Sequence, residues 1–200
     1  IEAKSVFNGH TDAVSSIQWP THLQLISGGH DNTIRLWDAT TGANVATLRA
    51  AKAVSSVSYS TDNGICISGH HDGVVRIWDP RAPNPTAKAL QAHKGWVSAI
   101  AWHPNQKTVF LSTSFDGSLK LWDLRSAIPM HFASRVHGSG KVLAACWWQR
   151  SSSDSEILTG GTDNRISRRC FPTTSTTTSS SSSSSSSSIT NASPEAMQEK

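Results

Sequence analysis

Ser27, His30 and Asp31 fall inside five positions of the stretch SGGHDNTIRLWD. These are the residue types of acyl transfer: a hydroxyl nucleophile, an imidazole base and a carboxylate to orient it. A second stretch, SGHHDGVVRIWD, sets His70 beside His71, and imidazole is a common metal ligand. Neither pattern reads as chemistry. A nucleophile is needed once, whereas the serine–aspartate spacing recurs along the chain. A metal needs further ligands at about 2.0–2.1 Å, and in-line neighbours such as His70 and His71, or His30 with them, rarely point at one ion. Cys66, Cys146 and Cys170 have no CxxC spacing, which fits neither a zinc site nor a disulfide framework and suggests a reducing compartment. The expectation is no catalytic residue, no metal and no cofactor.

The recurrence is the stronger signal. SGGHDNTIRLWD, SGHHDGVVRIWD and STSFDGSLKLWD each end in Trp-Asp, at Trp37, Trp78 and Trp122, 41 and 44 residues apart. A fourth copy, TGGTDNRISRRC, has Asp163 where the others have Asp31, Asp72 and Asp116. A Ser or Thr stands four residues before each of these aspartates: Ser27, Ser68, Ser112 and Thr159. Upstream of each copy lies a second matching segment: GHTDAVSSIQW, AAKAVSSVSY, AHKGWVSAIAW and HGSGKVLAACWW.

These segments must be placed by strands. Ile34/Leu36, Val75/Ile77 and Leu119/Leu121 alternate with Arg35, Arg76 and Lys120, the period of two of β-structure. A period of about 40–45 residues ending in Trp-Asp is the mark of four-stranded propeller blades. Each blade should run inner strand, second strand, tight turn, third strand, then an outer strand such as NVATL. Small residues such as Ser15 and Ser16 suit inner strands crowded near an axis.

The chain resembles the WD-repeat family over roughly residues 4–171. The resemblance implies an all-β fold, a WD-repeat β-propeller with about four blades of a seven-bladed ring. The blades are expected at 8–48, 49–90, 91–133 and a degenerate last one at 134–171. Residues 1–7 would be the outer strand of a missing upstream blade. The resemblance also implies buried sets of His, Ser or Thr, Asp and Trp: His10–Ser27–Asp31–Trp37 and His93–Ser112–Asp116–Trp122. The second blade keeps Ser68, Asp72 and Trp78, but Ala50 or Ala51 stands where the histidine belongs. The fourth keeps His137, Thr159 and Asp163, with Arg169 in place of the tryptophan. Both should leave part of a network unmade, costing about 1–3 kcal/mol where groups are buried without water.

The chain begins with Ile1 and is expected to be the C-terminal part of a larger propeller. After Phe171 the composition changes to a Ser/Thr-rich tail, 172–200, with ten serines at Ser179–Ser188. It lacks the apolar surface to offset ordering entropy, so disorder is expected. Asn191 formally fits a glycosylation acceptor but is read as chance. No apolar run approaches a membrane span, so no membrane partner is expected. The net charge of +4 has no basic stripe, so RNA contact should be peripheral at most.

Phrases such as HKGWVSAIAWHP and LTGGTDNRIS resemble a ribosome-biogenesis branch of the family. That resemblance implies a non-catalytic scaffold for maturation of large-subunit pre-rRNA, in nucleolus and nucleoplasm. Its partners would be pescadillo, a block-of-proliferation-type propeller protein and the pre-ribosomal particle. The alternatives are another WD-repeat scaffold and a substrate receptor of a cullin ubiquitin ligase, the latter because Trp78-Asp79-Pro80-Arg81 and Trp122-Asp123-Leu124-Arg125 fit a WDxR motif. Arg81 and Arg125 would then dock the adaptor. Partners should touch the loops at one end of the blades, which carry Asp12, His30, Lys52, His71, Lys94, Trp96, Phe115 and Lys141. Trp96 either stands free as an interface anchor or folds back over its own strand.

Overall fold

The computed structural model describes residues 5–82, 85–151 and 154–170. Among them there is no helix. The first sheet is β1 (Val14–Thr21), β2 (Gln24–Gly29), β3 (Thr33–Asp38) and β4 (Asn44–Arg49). The second is β5 (Val54–Ser60), β6 (Ile65–His70), β7 (Val74–Trp78) and β8 (Thr86–Gln91). The third is β9 (Val97–Trp102), β10 (Val109–Ser114), β11 (Leu119–Asp123) and β12 (His131–Ala133). The fourth has three described strands, β13 (Val142–Ser151), β14 (Asp154–Gly161) and β15 (Ile166–Cys170). In every sheet neighbours in sequence are neighbours in space and run antiparallel. These are blades built as meanders.

The tight turn before each third strand explains why the repeats stay in step. The residue after the turn aspartate has positive φ in all four: Asn32 at 62°, Gly73 at 75°, Gly117 at 79° and Asn164 at 60°. Asn and Gly are the residues that tolerate the left-handed region. Asp-Asn and Asp-Gly therefore fix the hairpin and with it the register of β2 on β3 and its counterparts.

The core lies between blades. Ile26, Ile34 and Leu48 of the first blade pack with Val54, Val57 and Trp78 of the second. Ile67, Val75 and Ile77 of the second pack with Val97, Ile100, Phe110 and Trp122 of the third. Leu111, Leu119 and Leu121 meet Val142 and Ile157 of the fourth. Full burial of each such side chain is worth about 1.5–3 kcal/mol. Trp37, Trp78 and Trp122 lie on the third strands and are almost wholly buried. Val14 and Ile17, the equivalents in β1 of the buried Val54 and Val57, are 49% and 69% exposed.

Serines join the blades at the inner strands. The Ser15 hydroxyl donates to the carbonyl oxygens of Gly28 (3.0 Å) and, across the joint, Val54 (2.6 Å). Ser55 does the same to Gly69 (2.9 Å) and Val97 (2.5 Å). The hydroxyls of Ser16 and Ser56 accept the backbone N–H of Val57 and Ile100 from the next blade.

Residues 5–7 form no strand; Phe7 stands edge-on to Trp37 at 5.9 Å. Residues 1–4 of the expected upstream strand lie outside the described residues. So do the Ser/Thr-rich segment, with Ser179–Ser188 and Asn191, and any outer strand after Phe171.

Candidate functional site: the repeated hydrogen-bond set and the loop face

In the first blade four side chains from separate elements meet. His10, from the loop before β1, points one ring nitrogen, Nδ1, at the Asp31 carboxylate (2.8 Å) and the other, Nε2, at the Ser27 hydroxyl (2.7 Å). The Trp37 indole N–H donates to the same Ser27 oxygen at 2.8 Å. In the neutral ring, Nδ1–H donates to Asp31 and Nε2 accepts the serine proton. Burial would raise the Asp31 pKa. The Thr33 hydroxyl, the His10 ring and the N–H groups of Thr11 and Thr33 outweigh it and hold the carboxyl at about 2.

The distances of Asp31, His10 and Ser27 are those of an acid–base–nucleophile chain. Two features set it apart. The serine oxygen is buried and held by an indole N–H. The arrangement also recurs. In the third blade His93 Nε2 meets Ser112 at 2.8 Å, and the Trp122 indole donates to that hydroxyl at 2.9 Å. There Asp116 is reached through Ser118. His93 Nδ1 is 2.9 Å from the Ser118 hydroxyl, which donates to Asp116 at 2.5 Å, while the direct His93–Asp116 separation is 3.4 Å. Burial pushes the His93 ring down to about 4 although Asp116 draws it up, so it is neutral at pH 7. The relay through Ser118, and Thr33 at the equivalent place, had no marker in the Trp-Asp pattern beyond a hydroxyl two residues after the aspartate.

In the fourth blade His137 joins Asp163 (2.8 Å) and Thr159 (3.0 Å). Arg169, in the tryptophan's place, turns away and donates to the Val136 carbonyl oxygen at 3.2 Å. The Thr159 hydroxyl keeps its histidine, so the missing indole leaves no buried group stranded there.

The second blade corrects the expectation more sharply. No imidazole comes from Ala50 or Ala51, yet Ser68 has one. His70, two residues along β6, brings Nε2 to 2.7 Å from the Ser68 hydroxyl, which also accepts the Trp78 indole at 2.7 Å. His70 Nδ1 donates to the Lys52 carbonyl oxygen (3.0 Å). Asp72 is thereby released from the set and binds Arg76 at 2.8 and 3.2 Å. Burial lowers the His70 pKa to about 4. The first and fourth blades have Gly29 and Gly161 at the position of His70. A Cβ on Gly29 would lie 2.8 Å from His10 Nδ1, and one on Gly161 would lie 2.3 Å from His137 Cγ. In these two blades the loop histidine packs on a strand glycine, and in the third, with its loop His93, the small Ser114 stands at that position, so a loop histidine goes with a small residue on the strand and a strand histidine with a small residue in the loop. The signal was present in the sequence, since the repeat lacking the loop histidine is the one with HH before its aspartate.

The loops carry a different arrangement. His30, His71, Trp96, Phe115 and Lys141 form one continuous row across four blades. Ring centroids of His30 and His71 are 5.2 Å apart. His71 and Trp96 stack in parallel at 4.0 Å, and Trp96 and Phe115 follow at 5.8 Å. Lys141 Nζ sits 5.1 Å from the Phe115 centroid. Trp96 is half exposed and does not fold over its own strand; its face is covered by His71 of the preceding blade. Asp12, Lys52 and Lys94 are exposed. Arg81 and Arg125, far out on other turns, fold back on Asp79 and Asp123 of their own motifs. Among the described residues no group of three or more His, Cys, Asp or Glu side chains is placed to hold a metal ion.

A family model described as "WD domain, G-beta repeat" matches residues 2–38, 42–79 and 84–123. Among curated proteins, the chain is 38% identical over 167 residues to the "Ribosome biogenesis protein WDR12 homolog" of Oryza sativa subsp. japonica, covering 82% of this chain and 37% of that protein. It is 38% identical to the protein of the same name from Nematostella vectensis, with 80% and 38% covered. The chain thus spans a little over a third of the length of these relatives. Among solved structures, the computationally designed Ika4 protein superposes with a TM-score of 0.68 at 22% identity, covering 84% of this chain and 96% of that one. A chain of the Mitotic Checkpoint Complex superposes with a TM-score of 0.68 at 24% identity, covering 78% and 48%. With three repeats matched and the Trp-Asp sheets assembled blade against blade, the chain belongs to the WD40-repeat family and folds as part of a β-propeller.

Proposed function

We propose that the protein is a non-catalytic scaffold in maturation of the large ribosomal subunit. It would act in the nucleolus and nucleoplasm, and hold pescadillo and a block-of-proliferation-type propeller protein on pre-ribosomal particles. The observation that carries this reading is the 38% identity to ribosome-biogenesis relatives across four-fifths of the chain. The geometry fits a scaffold. The His, Ser, Thr and Asp side chains that resemble a reactive chain are used in every blade to fasten the loop before the inner strand to the second strand. Rigid blades then present loop side chains with little reorganisation on binding. Contact with RNA is peripheral in this reading. The relatives give no support to a cullin-ligase receptor.

Tagging the intact protein in cells and depleting it tests the reading. The expected result is recovery with pescadillo and pre-ribosomes, and accumulation of unprocessed large-subunit precursor RNA on depletion. Recovery with a cullin-ligase adaptor, with normal processing, would overturn it.

A further inference from the structure

We infer that the row from His30 to Lys141 is a docking ledge for an acidic segment of a partner protein, anchored by one bulky apolar side chain. This deepens the scaffold reading, on which it rests for the existence of a protein partner.

The blade itself has no use for Trp96. Its position, one before the valine that opens the inner strand, is Ala13 in the first blade and Ala53 in the second. Yet here stands the side chain most costly to leave in water, half exposed and held upright by His71 on one side and Phe115 on the other. Tryptophan is among the side chains enriched at the anchors of protein interfaces. Under the ledge lies a recess of about 260 Å³, walled by Trp96, Phe115 and His71, with Leu143 and the inner-strand residues Ser55 and Ser98. That is below the roughly 300–1,000 Å³ of sites for drug-sized ligands and suits a single side chain.

Charge selects the partner. The turn acids are all occupied by partners within the protein. Asp31 and Asp163 take histidines, Asp72 takes Arg76, and Asp116 takes the Ser118 hydroxyl and the Lys94 N–H. What these loops offer to solvent is Lys52, Lys94 and Lys141, against Asp12 and an Asp116 whose carboxylate already accepts from the Ser118 hydroxyl and the Lys94 N–H. Carboxylates flanking an apolar anchor complement this rim. The ladder argues against unpaired nucleotides. Bases bind by stacking on open ring faces, and the parallel 4.0 Å contact of His71 with Trp96 leaves no slot between them.

The test is a selection of random dodecapeptides displayed against the whole chain, followed by anisotropy titration of the enriched peptides. Enriched peptides are expected to be net negative with one large apolar residue. Trp96→Ala and Lys141→Glu should each weaken them at least tenfold. Trp96→Ala should leave the melting temperature unchanged, since two blades carry alanine there. Should it not, Lys141→Glu and Lys52→Glu carry the test from exposed sites. Neutral or basic winners, no enrichment, affinity unchanged in the variants, or competition by single-stranded oligouridylate would each overturn the ledge. The assay reads binding alone. If it fails while depletion still accumulates unprocessed precursor RNA, the ledge falls and the scaffold stands, whereas acidic winners with normal processing on depletion would separate the two the other way.

Discussion

His70 Nε2 stands 2.7 Å from the Ser68 hydroxyl, the separation at which His10 meets Ser27, although one ring rises from a strand and the other descends from a loop. The fold conserves the meeting point and lets its supplier vary.

That exchange can be reversed by design. His70→Ala should destabilise the protein by about 1–3 kcal/mol, because the Ser68 hydroxyl and the Lys52 carbonyl oxygen lose a partner. His70→Gly combined with Ala50→His rebuilds the arrangement of the first blade and should recover part of the loss. Urea midpoints of the three proteins check this. A double variant no more stable than His70→Ala would show that the loop cannot deliver the ring.

Acid should unfold the protein through these rings. His70 and His93 have folded pKa values of about 4 against an ordinary 6.5, with burial as the main cause. Between those values the unfolded chain takes up protons that the folded chain refuses. Stability is therefore full above pH 6.5 and falls as pH drops towards 4, by on the order of 3 kcal/mol per ring. Asp31, held at about 2 from 3.8, has its loss still lower, as pH falls through 2. His93→Gln should flatten the slope of stability between pH 6.5 and 4, read from denaturation midpoints at stepped pH.

Much of the scaffold is legible in the sequence. Trp37, Trp78 and Trp122 declare themselves by spacing, and Ile34/Leu36 with Arg35 declare a strand, because both signals depend on periodicity alone. The supplier of each imidazole did not. Periodicity aligns His10 with Ala50, and contact through space, which decides that His70 replaces it, leaves only a Gly-to-His change two residues after a serine. The ledge was half legible. The repeat places its members in loops, but that Trp96 leans on His71 of another blade depends on the angle between sheets.

Adjacent glycines in β14 offer a sharp comparison. A Cβ at Gly161 would lie 2.3 Å from the His137 ring, whereas one at Gly160 meets nothing within 4 Å. Gly161→Ala should cost about 1–3 kcal/mol as an overpacked site, and Gly160→Ala should be close to neutral. Equal melting temperatures for the two would refute the glycine–histidine pairing.

The turn aspartates should also separate. Asp31, with its side chain 3% exposed, accepts from a ring, a hydroxyl and two N–H groups, so Asp31→Ala should cost about 1–3 kcal/mol. Asp72 pairs with Arg76 at the surface, and Asp72→Ala should cost less than about 1 kcal/mol. Thermal melts of both variants side by side measure the difference.

The joints between blades are blind to side-chain identity on the receiving side. Ser15 and Ser55 grip a carbonyl oxygen, and Ser16 and Ser56 grip an N–H, groups that almost every residue possesses. A coupling of that kind makes the unit copyable. A duplicated stretch of some forty codons arrives with a plug that fits whatever strand comes next, and its loops are then free to drift. His30, His71 and Phe115 occupy one place in three such copies, as three separate answers to a question the coupling never asks.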